Sequence, residues 1–159
     1  MNIKKNGVIL FLLAILLTGC SGKNVSLIYS DNNKISSSAD TFNIDIKEQK
    51  IDGEKFVGII KKIEGIDTIW TYEAEEDKKL DMKYLLNVRK GKVKLVLISP
   101  DNTITNIIER TNESPITNYA TSTIQIKKGF NRIKLVAEKK SSGEFDIEIP
   151  CGNFKELGL

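Results

Sequence analysis

The chain contains no histidine, only two cysteines and only three prolines among its 159 residues. Without histidine it cannot form a Ser-His-Asp triad, a Cys-His dyad or an H-E-x-x-H zinc site. It also lacks a C-x-x-C pair, an S-x-x-K motif and both common glycine-rich phosphate-binding loops. A carboxylate pair for glycoside hydrolysis stays open, because acids far apart in sequence can converge in the fold. We expect a protein that is not an enzyme and that holds neither a cofactor nor a metal.

Long apolar runs are also scarce, and the one strong example lies at the N terminus. Val8–Leu17 is continuously apolar and follows Lys4 and Lys5. Its ten residues are about half of the roughly 20 that a helix needs to cross a bilayer. A basic start, a short apolar stretch and small residues after it are typical of a secretory signal.

The tetrapeptide Leu17-Thr18-Gly19-Cys20 closes this run and resembles the lipobox of bacterial lipoproteins. The resemblance implies that residues 1–19 are removed as a signal peptide and that Cys20 receives a diacylglyceryl group. Cys20 could be acylated further, for example with palmitate. The two chains of the diacylglyceryl group are already enough for stable membrane attachment. The expected location is the extracytoplasmic face of the cell membrane, within the cell envelope. The alternative is a core helix, or a cleaved signal with a coincidental cysteine.

Charge gives little indication of a polyanionic partner. The 24 basic residues include Lys4 and Lys5, so 22 remain against 21 acidic residues once the signal is removed. Lysine and glutamate are interspersed along the sequence rather than clustered, which is not the pattern of a nucleic-acid interface. We therefore expect no nucleic acid among the partners.

Cys151 is the second cysteine, and lipid on Cys20 would leave it without a disulfide partner. An unpaired thiol in an exported protein indicates burial, an intermolecular bridge or a reactive group. Its position after Ile147, Ile149 and Pro150 favours burial as a small apolar side chain.

The remaining sequence predicts a polar tether over residues 20–41 and one all-β domain over residues 42–159. The tether is rich in Ser, Asn and Asp, whereas apolar residues beyond it alternate with polar ones, as in half-buried strands. Turn-forming residues recur about every ten positions. They are Asp52-Gly53, Glu75–Lys78, Lys90-Gly91, Ser99–Asn102, Lys128-Gly129 and Ser141–Gly143. We predict an antiparallel β-sandwich of about eight strands.

Two segments add detail to this prediction. Ile124–Leu135, followed by the Gly-x-Phe-x-Ile pattern of residues 143–147, resembles the end of jelly-roll modules of the carbohydrate-binding type. Gly91–Asn102 resembles a middle strand and β-turn of the same modules. The resemblance implies a jelly-roll-like sandwich more than it implies a ligand.

Trp70 and Tyr72 are the candidate ligand-binding residues. They share one face of a predicted strand, with Tyr84 on the next one, and aromatic rings on a sheet surface can stack on sugars. The alternative, which we favour, places both in the core of the sandwich. The acidic turn Glu73–Asp77 could hold calcium, although a solvated turn is the simpler interpretation.

Two functions remain. The first is a lipid-anchored module that binds another protein of the cell envelope through an exposed face or an edge strand. The second is a lipoprotein that binds cell-wall or external glycan through exposed aromatic residues. The size of the domain argues against a two-lobed solute-binding protein.

Overall fold

The computed structural model describes residues 25–114 and 118–159, so the predicted signal peptide and Cys20 lie outside the described residues. A 3-10 helix (Val25–Ser30) and a short helix α1 (Asn32–Ser36) precede eight strands. The strands are β1 (Thr41–Asp52), β2 (Lys55–Ala74), β3 (Lys78–Lys90), β4 (Lys92–Ile98), β5 (Ile104–Thr111), β6 (Ala120–Ile126), β7 (Gly129–Glu148) and β8 (Asn153–Phe154). Every pairing among them is antiparallel. The predicted all-β sandwich of eight strands is confirmed. In the described ranges, no helix has the length and apolar character to cross a bilayer.

Two strands of 20 residues, β2 and β7, run through both layers of the sandwich. They pair with each other from Lys55 opposite Glu148 to Ala74 opposite Gly129. In the first layer, the beginning of β2 and the end of β7 lie between β1 on one side and β3 and β6 on the other. In the second layer, the end of β2 and the beginning of β7 lie between β8 and the pair β4–β5. Strands that bend from one sheet into the other form the corners of such a fold.

The bends are marked by irregular pairing. The register between β2 and β7 shifts after Ile60 and again after Ile63, and Lys140 adopts a left-handed φ of 61°. The Ser141 hydroxyl contacts the carbonyl of Glu138 at 2.9 Å and the backbone N of Lys92 at 3.1 Å. The predicted turn at Ser141–Gly143 is wrong, because these residues pair with β2 and β3 and the strand continues.

The core between the layers is built from the alternating apolar positions that the sequence predicts. On β3, every second residue from Leu80 to Val88 is buried, and the residues between them face outward. The same alternation on β2 and β7 contributes Phe56, Phe145 and Ile147. One face of each first-layer strand therefore points into the core, and the other forms an outer surface.

The second layer is covered on its outer face by the N-terminal helices. Ile28, Tyr29 and Ile35 are buried there against apolar residues of β2, β4 and β7. The predicted tether over residues 20–41 is therefore wrong from Ile28 onward, since Ile28, Tyr29 and Ile35 pack on the sheet. The sequence predicts a tether here because the segment is mostly polar and its three buried apolar residues are not regularly spaced.

A buried lysine holds this cover in place. Lys134 of β7 is 0% exposed, and its Nζ donates hydrogen bonds to the carbonyls of Ser37 (2.8 Å) and Ala39 (3.3 Å). The same Nζ lies 2.8 Å from Oδ1 of Asp40, which also accepts a hydrogen bond from the Thr68 hydroxyl at 3.0 Å. The ammonium thus has a partner for each of its three protons.

The C-terminal tail is bound to β1 and β2. The backbone N of Leu157 donates to the side chain of Gln49 at 3.0 Å, and that of Gly158 donates to Oδ2 of Asp67 at 2.7 Å. Asp67 is 1% exposed. Burial raises the pKa of Asp67 to about 6, against the lowering effect of its bond from Gly158.

Candidate functional site

Trp70 and Tyr72 do not form an exposed platform. Trp70 is 0% exposed, as its interpretation as a core residue predicts, and its Nε1 donates to the carbonyl of Cys151 at 3.1 Å. Tyr72 is half-buried with its ring 5.8 Å from that of Trp70, and its hydroxyl accepts a hydrogen bond from Lys78. Tyr84 is buried on β3. Trp70 and Tyr84 therefore offer no ring face to a ligand.

Cys151 is exposed, and the prediction that it is buried is wrong. The residue lies in the turn between β7 and β8 with a left-handed φ of 72°. Its backbone N donates to Oε1 of Glu54 at 2.9 Å, while its carbonyl accepts from Trp70. The backbone is therefore fixed toward the protein, and the side chain is left on the solvent side.

The acidic turn between β2 and β3 binds basic groups of the chain itself. Asp77 accepts hydrogen bonds from the backbone N of Lys128 at 2.8 Å and from Nζ of Lys127 at 3.1 Å. These bonds, the backbone bond foremost, lower the pKa of Asp77. Within residues 25–114 and 118–159, no group of three or more metal-ligating side chains is close enough to hold an ion.

Two aromatic residues of the described chain are well exposed, and they lie in different layers. Tyr119, directly before β6, is 49% exposed, and Phe130 is 48% exposed at the start of β7. Tyr119 has charged side chains around its ring, as described next. Phe130 lies opposite Glu73 in the second layer.

The Tyr119 ring is held between two strands of the first layer. Its hydroxyl donates to Oδ2 of Asp146 at 2.6 Å, and the same Oδ2 lies 3.0 Å from Nζ of Lys55. Nζ of Lys83 is 4.9 Å from the ring centroid, and Nζ of Lys55 is 6.0 Å from it. The hydrogen bond to Asp146 raises the pKa of the Tyr119 hydroxyl and also that of Lys55. The other carboxylate oxygen of Asp146 is buried and has no hydrogen-bond partner among the described residues.

Strand register explains why these groups meet. Lys55 lies opposite Glu148, which lies opposite Lys83, so the three form one row across β2, β7 and β3. All three point outward because their neighbours on each strand point into the core. Asp146 belongs to the next row, between Val57 and Leu85. We call this surface the outer face of the first layer.

A groove of about 310 Å³ lies near the far end of the same outer face. Arg89 is six residues from Lys83 along β3, which corresponds to about 20 Å. Arg89 pairs with Glu144 of β7, and Lys61 lies 3.8 Å from Asp45. The groove is lined by Lys47, Ile59, Ile60, Lys61, Arg89, Ser142, Gly143 and Glu144. The outer face thus combines an aromatic ring at one end with a charged groove at the other.

Reasoning from the sequence missed both ends of this face. Tyr119 lies in a polar connection without strand alternation, and a lone aromatic residue beside a predicted strand is the signal that could have indicated it. The groove depends on four strands, β1, β2, β3 and β7, so only the fold brings its residues together. The arrangement supplies surfaces for binding: a ring face, fixed cations and carboxylates.

Comparison with known proteins gives a distant structural likeness. No family model and no curated protein matches the sequence. Among solved structures, a CBM4 structure is 9% identical with a TM-score of 0.38, covering 70% of this chain and 78% of that chain. A variant of CBM29-2, from family 29 of the carbohydrate-binding modules, is 13% identical with a TM-score of 0.39, covering 68% and 88%. A CBM29-2 variant complexed with mannohexaose is 12% identical with a TM-score of 0.37, covering 70% and 92%. This likeness concerns the general arrangement of strands, and we transfer no ligand or binding residue from it.

Proposed function

We propose that this chain is a non-catalytic carbohydrate-binding β-sandwich whose binding surface is the outer face of the first layer. The observation that carries the proposal is the geometry of Tyr119, whose half-exposed ring is fixed by a 2.6 Å hydrogen bond to Asp146. A fixed aromatic ring offers an apolar face to the C–H groups of a sugar and loses little entropy on binding. Lys55, Lys83 and Asp146 are within reach of the hydroxyl groups at the rim of such a sugar.

The proposal includes an anchor and a location. Lipid on Cys20 of the lipobox would hold the protein at the extracytoplasmic face of the cell membrane. Four residues (21–24) would then separate the anchor from the 3-10 helix, which with α1 covers the second layer. Glycans of the cell envelope would be within reach of a domain held in this way.

The direct test is binding of the full chain, kept soluble in mild detergent, to an array of neutral and acidic glycans. Tyr119→Ala removes the proposed platform, and Phe130→Ala removes an equally exposed ring from the other layer. We expect Tyr119→Ala to weaken binding about tenfold or more, because stacking and its hydrogen bonds contribute about 1–3 kcal/mol. Phe130→Ala should bind as the parent does. Equal loss in both variants, or no glycan bound at all, would contradict the proposal.

Docking to another envelope protein is the second candidate. It is favoured by β1, which is 12 residues long and pairs only with β2 in the part of the chain that the structure describes. An edge strand of this length can accept an extended segment of a partner. Photo-crosslinking in cells from Asn43 of β1, compared with crosslinking from Tyr119, separates the two candidates. A protein captured from Asn43 alone would support docking at the edge.

A further inference from the structure

Three pairs of adjacent basic residues meet at the corner of the sandwich. They are Lys61-Lys62 on β2, Arg89-Lys90 on β3 and Lys139-Lys140 on β7. In sequence each pair is separated from the next by more than 25 residues, so the chain shows no basic run. We call these three pairs, together with Lys47 of β1, the basic cluster.

Strand pairing brings the cluster together. β7 is the neighbour of both β2 and β3 at this point, because Gly143 lies opposite Ile60 on one side and opposite Val88 on the other. Lys61-Lys62 follows Ile60 and Arg89-Lys90 follows Val88. Lys139-Lys140 falls in the bulge of β7 beside Ser141. The clustering therefore follows from the same bends that carry β2 and β7 between the layers.

The cluster has more positive than negative charge. Two of its seven cations have a carboxylate within 4 Å, namely Lys61 with Asp45 and Arg89 with Glu144. The other five make no ion pair within residues 25–114 and 118–159. Glu48 and Glu138 are further acids of the neighbouring strand segments. Because the chain from residue 20 onward is almost neutral, this corner is a local excess of positive charge.

The groove described above opens at this cluster, with Lys47, Lys61 and Arg89 in its lining. We propose that the glycan bound by the outer face is acidic, and that its carboxylate groups occupy this groove while a sugar ring stacks on Tyr119. The proposal rests on the proposed function and specifies its ligand class. The distance of about 20 Å between the two ends requires a ligand of several sugar units. A membrane surface is the less favoured partner, since a planar bilayer would not enter a groove lined partly by Ile59 and Ile60.

The test compares polymers with the same sugar backbone and different charge. Polygalacturonate and its methyl ester, and carboxymethyl-dextran and dextran, are presented to the full chain in detergent at about 0.1 M and about 1 M salt. The Debye length falls from about 10 Å to about 3 Å between these conditions. Lys47→Gln/Lys61→Gln removes two cations from the groove. Lys128→Gln/Lys155→Gln makes the same change in net charge away from the outer face, at two exposed lysines.

We expect at least one acidic polymer to bind about tenfold more tightly than its neutral partner at the lower salt, and about equally at the higher salt. Because exposed charge pairs are individually weak, the groove variant should lose about three- to tenfold in affinity and the control variant less than twofold. Tyr119→Ala should weaken binding of the acidic polymer as well.

Three results would overturn the inference in distinguishable ways. The first result is equal binding of acidic and neutral polymers that is weakened by Tyr119→Ala. The second is binding of array glycans without binding of either acidic polymer. Both results would leave glycan binding in place and remove its acidic specificity. The third result is that Tyr119→Ala binds the acidic polymers as well as the parent does, and that the protein also binds vesicles of phosphatidylglycerol but not of phosphatidylcholine. This result would assign the cluster to a lipid surface and contradict the proposed function too.

Discussion

The indole Nε1 of Trp70 donates a hydrogen bond to the carbonyl oxygen of Cys151 at 3.1 Å. This bond connects the turn between β7 and β8 to a buried side chain of the core. The next residue, Gly152, has a φ of 75°, and a Cβ at this position would lie 2.5 Å from Cε2 of the indole. The buried ring and the turn thus fit together only with glycine at residue 152.

Gly152→Ala should lower the free energy of unfolding by about 2 kcal/mol or more, because it combines left-handed strain with overpacking against the ring. Urea unfolding followed by Trp70 emission measures the effect. Gly53→Ala is the matched control, since Gly53 is also left-handed (φ 58°) but has nothing within 4 Å of the added Cβ. Its cost should be limited to about 1–2 kcal/mol of backbone strain. Equal losses in the two variants would contradict the close fit at Trp70.

The buried ion pair under the N-terminal cover gives a second prediction. Asp40→Ala leaves the fully buried Lys134 without its carboxylate, and we expect a loss of about 3 kcal/mol in stability. Asp52→Ala removes the partner of Lys50 in a pair that is 71% and 76% exposed, so its cost should stay below about 1 kcal/mol. Thermal unfolding of both variants measures the difference. If both melt alike, the cover does not depend on Lys134.

Asp67 predicts an unusual dependence of stability on pH. Burial raises the pKa of Asp67 to about 6, above its value in the unfolded chain, so the folded state holds its proton more tightly. Stability should therefore rise as the pH falls from about 6 to about 4, with a contribution of about 2 kcal/mol. Above pH 6 the buried carboxylate is ionised, and its burial lowers the free energy of unfolding.

Asp67→Asn isolates this contribution. Its amide oxygen can still accept the hydrogen bond from the backbone N of Gly158, but it does not titrate. Asp77 and Asp101 have lowered pKa values because of backbone hydrogen bonds, and they act in the opposite sense at lower pH. We expect the difference in urea midpoint between the parent and Asp67→Asn to increase in favour of the parent as the pH is lowered from 7 to 5. A difference that stays constant with pH would show that Asp67 titrates normally.

The two cysteines give a prediction about lipidation that thiol counting can check. If Cys20 forms a thioether, the chain isolated from its native host presents one thiol, and that thiol is the exposed Cys151. A thiol reagent should react with one equivalent under native conditions and with no more after unfolding. Cys151→Ser should then show none, whereas Cys20→Ser should fail to incorporate labelled palmitate. Two titratable thiols in the native product would contradict lipidation at Cys20.

The strands could be predicted from the sequence because their signal is local. Alternation along β3 and the Asp52-Gly53 turn depend on neighbouring residues, and the structure has both where they were expected. The N-terminal cover could not be predicted in this way, because Ile28, Tyr29 and Ile35 gain their meaning from the outer face of a sheet formed much later in the chain.

The candidate site depended even more on long-range pairing. Lys55 and Lys83 flank Tyr119 only because β7, the seventh strand, lies between the two strands that carry them. The basic cluster has the same origin, since its three pairs are separated in sequence and meet at one corner. A local pattern search sees ordinary charged residues at each of these positions.

Because β7 lies at the centre of both layers, neither layer can close before residues 129–148 have been synthesised. Its partners on β2 are contributed from as far away as Lys55, opposite Glu148. Contacts of this sequence separation slow folding, since the intervening chain must be ordered before they form. The two sheets therefore cannot fold separately, because a chain that ends before β7 lacks the central strand of both. Disruption of β7 should unfold both sheets together in a single step.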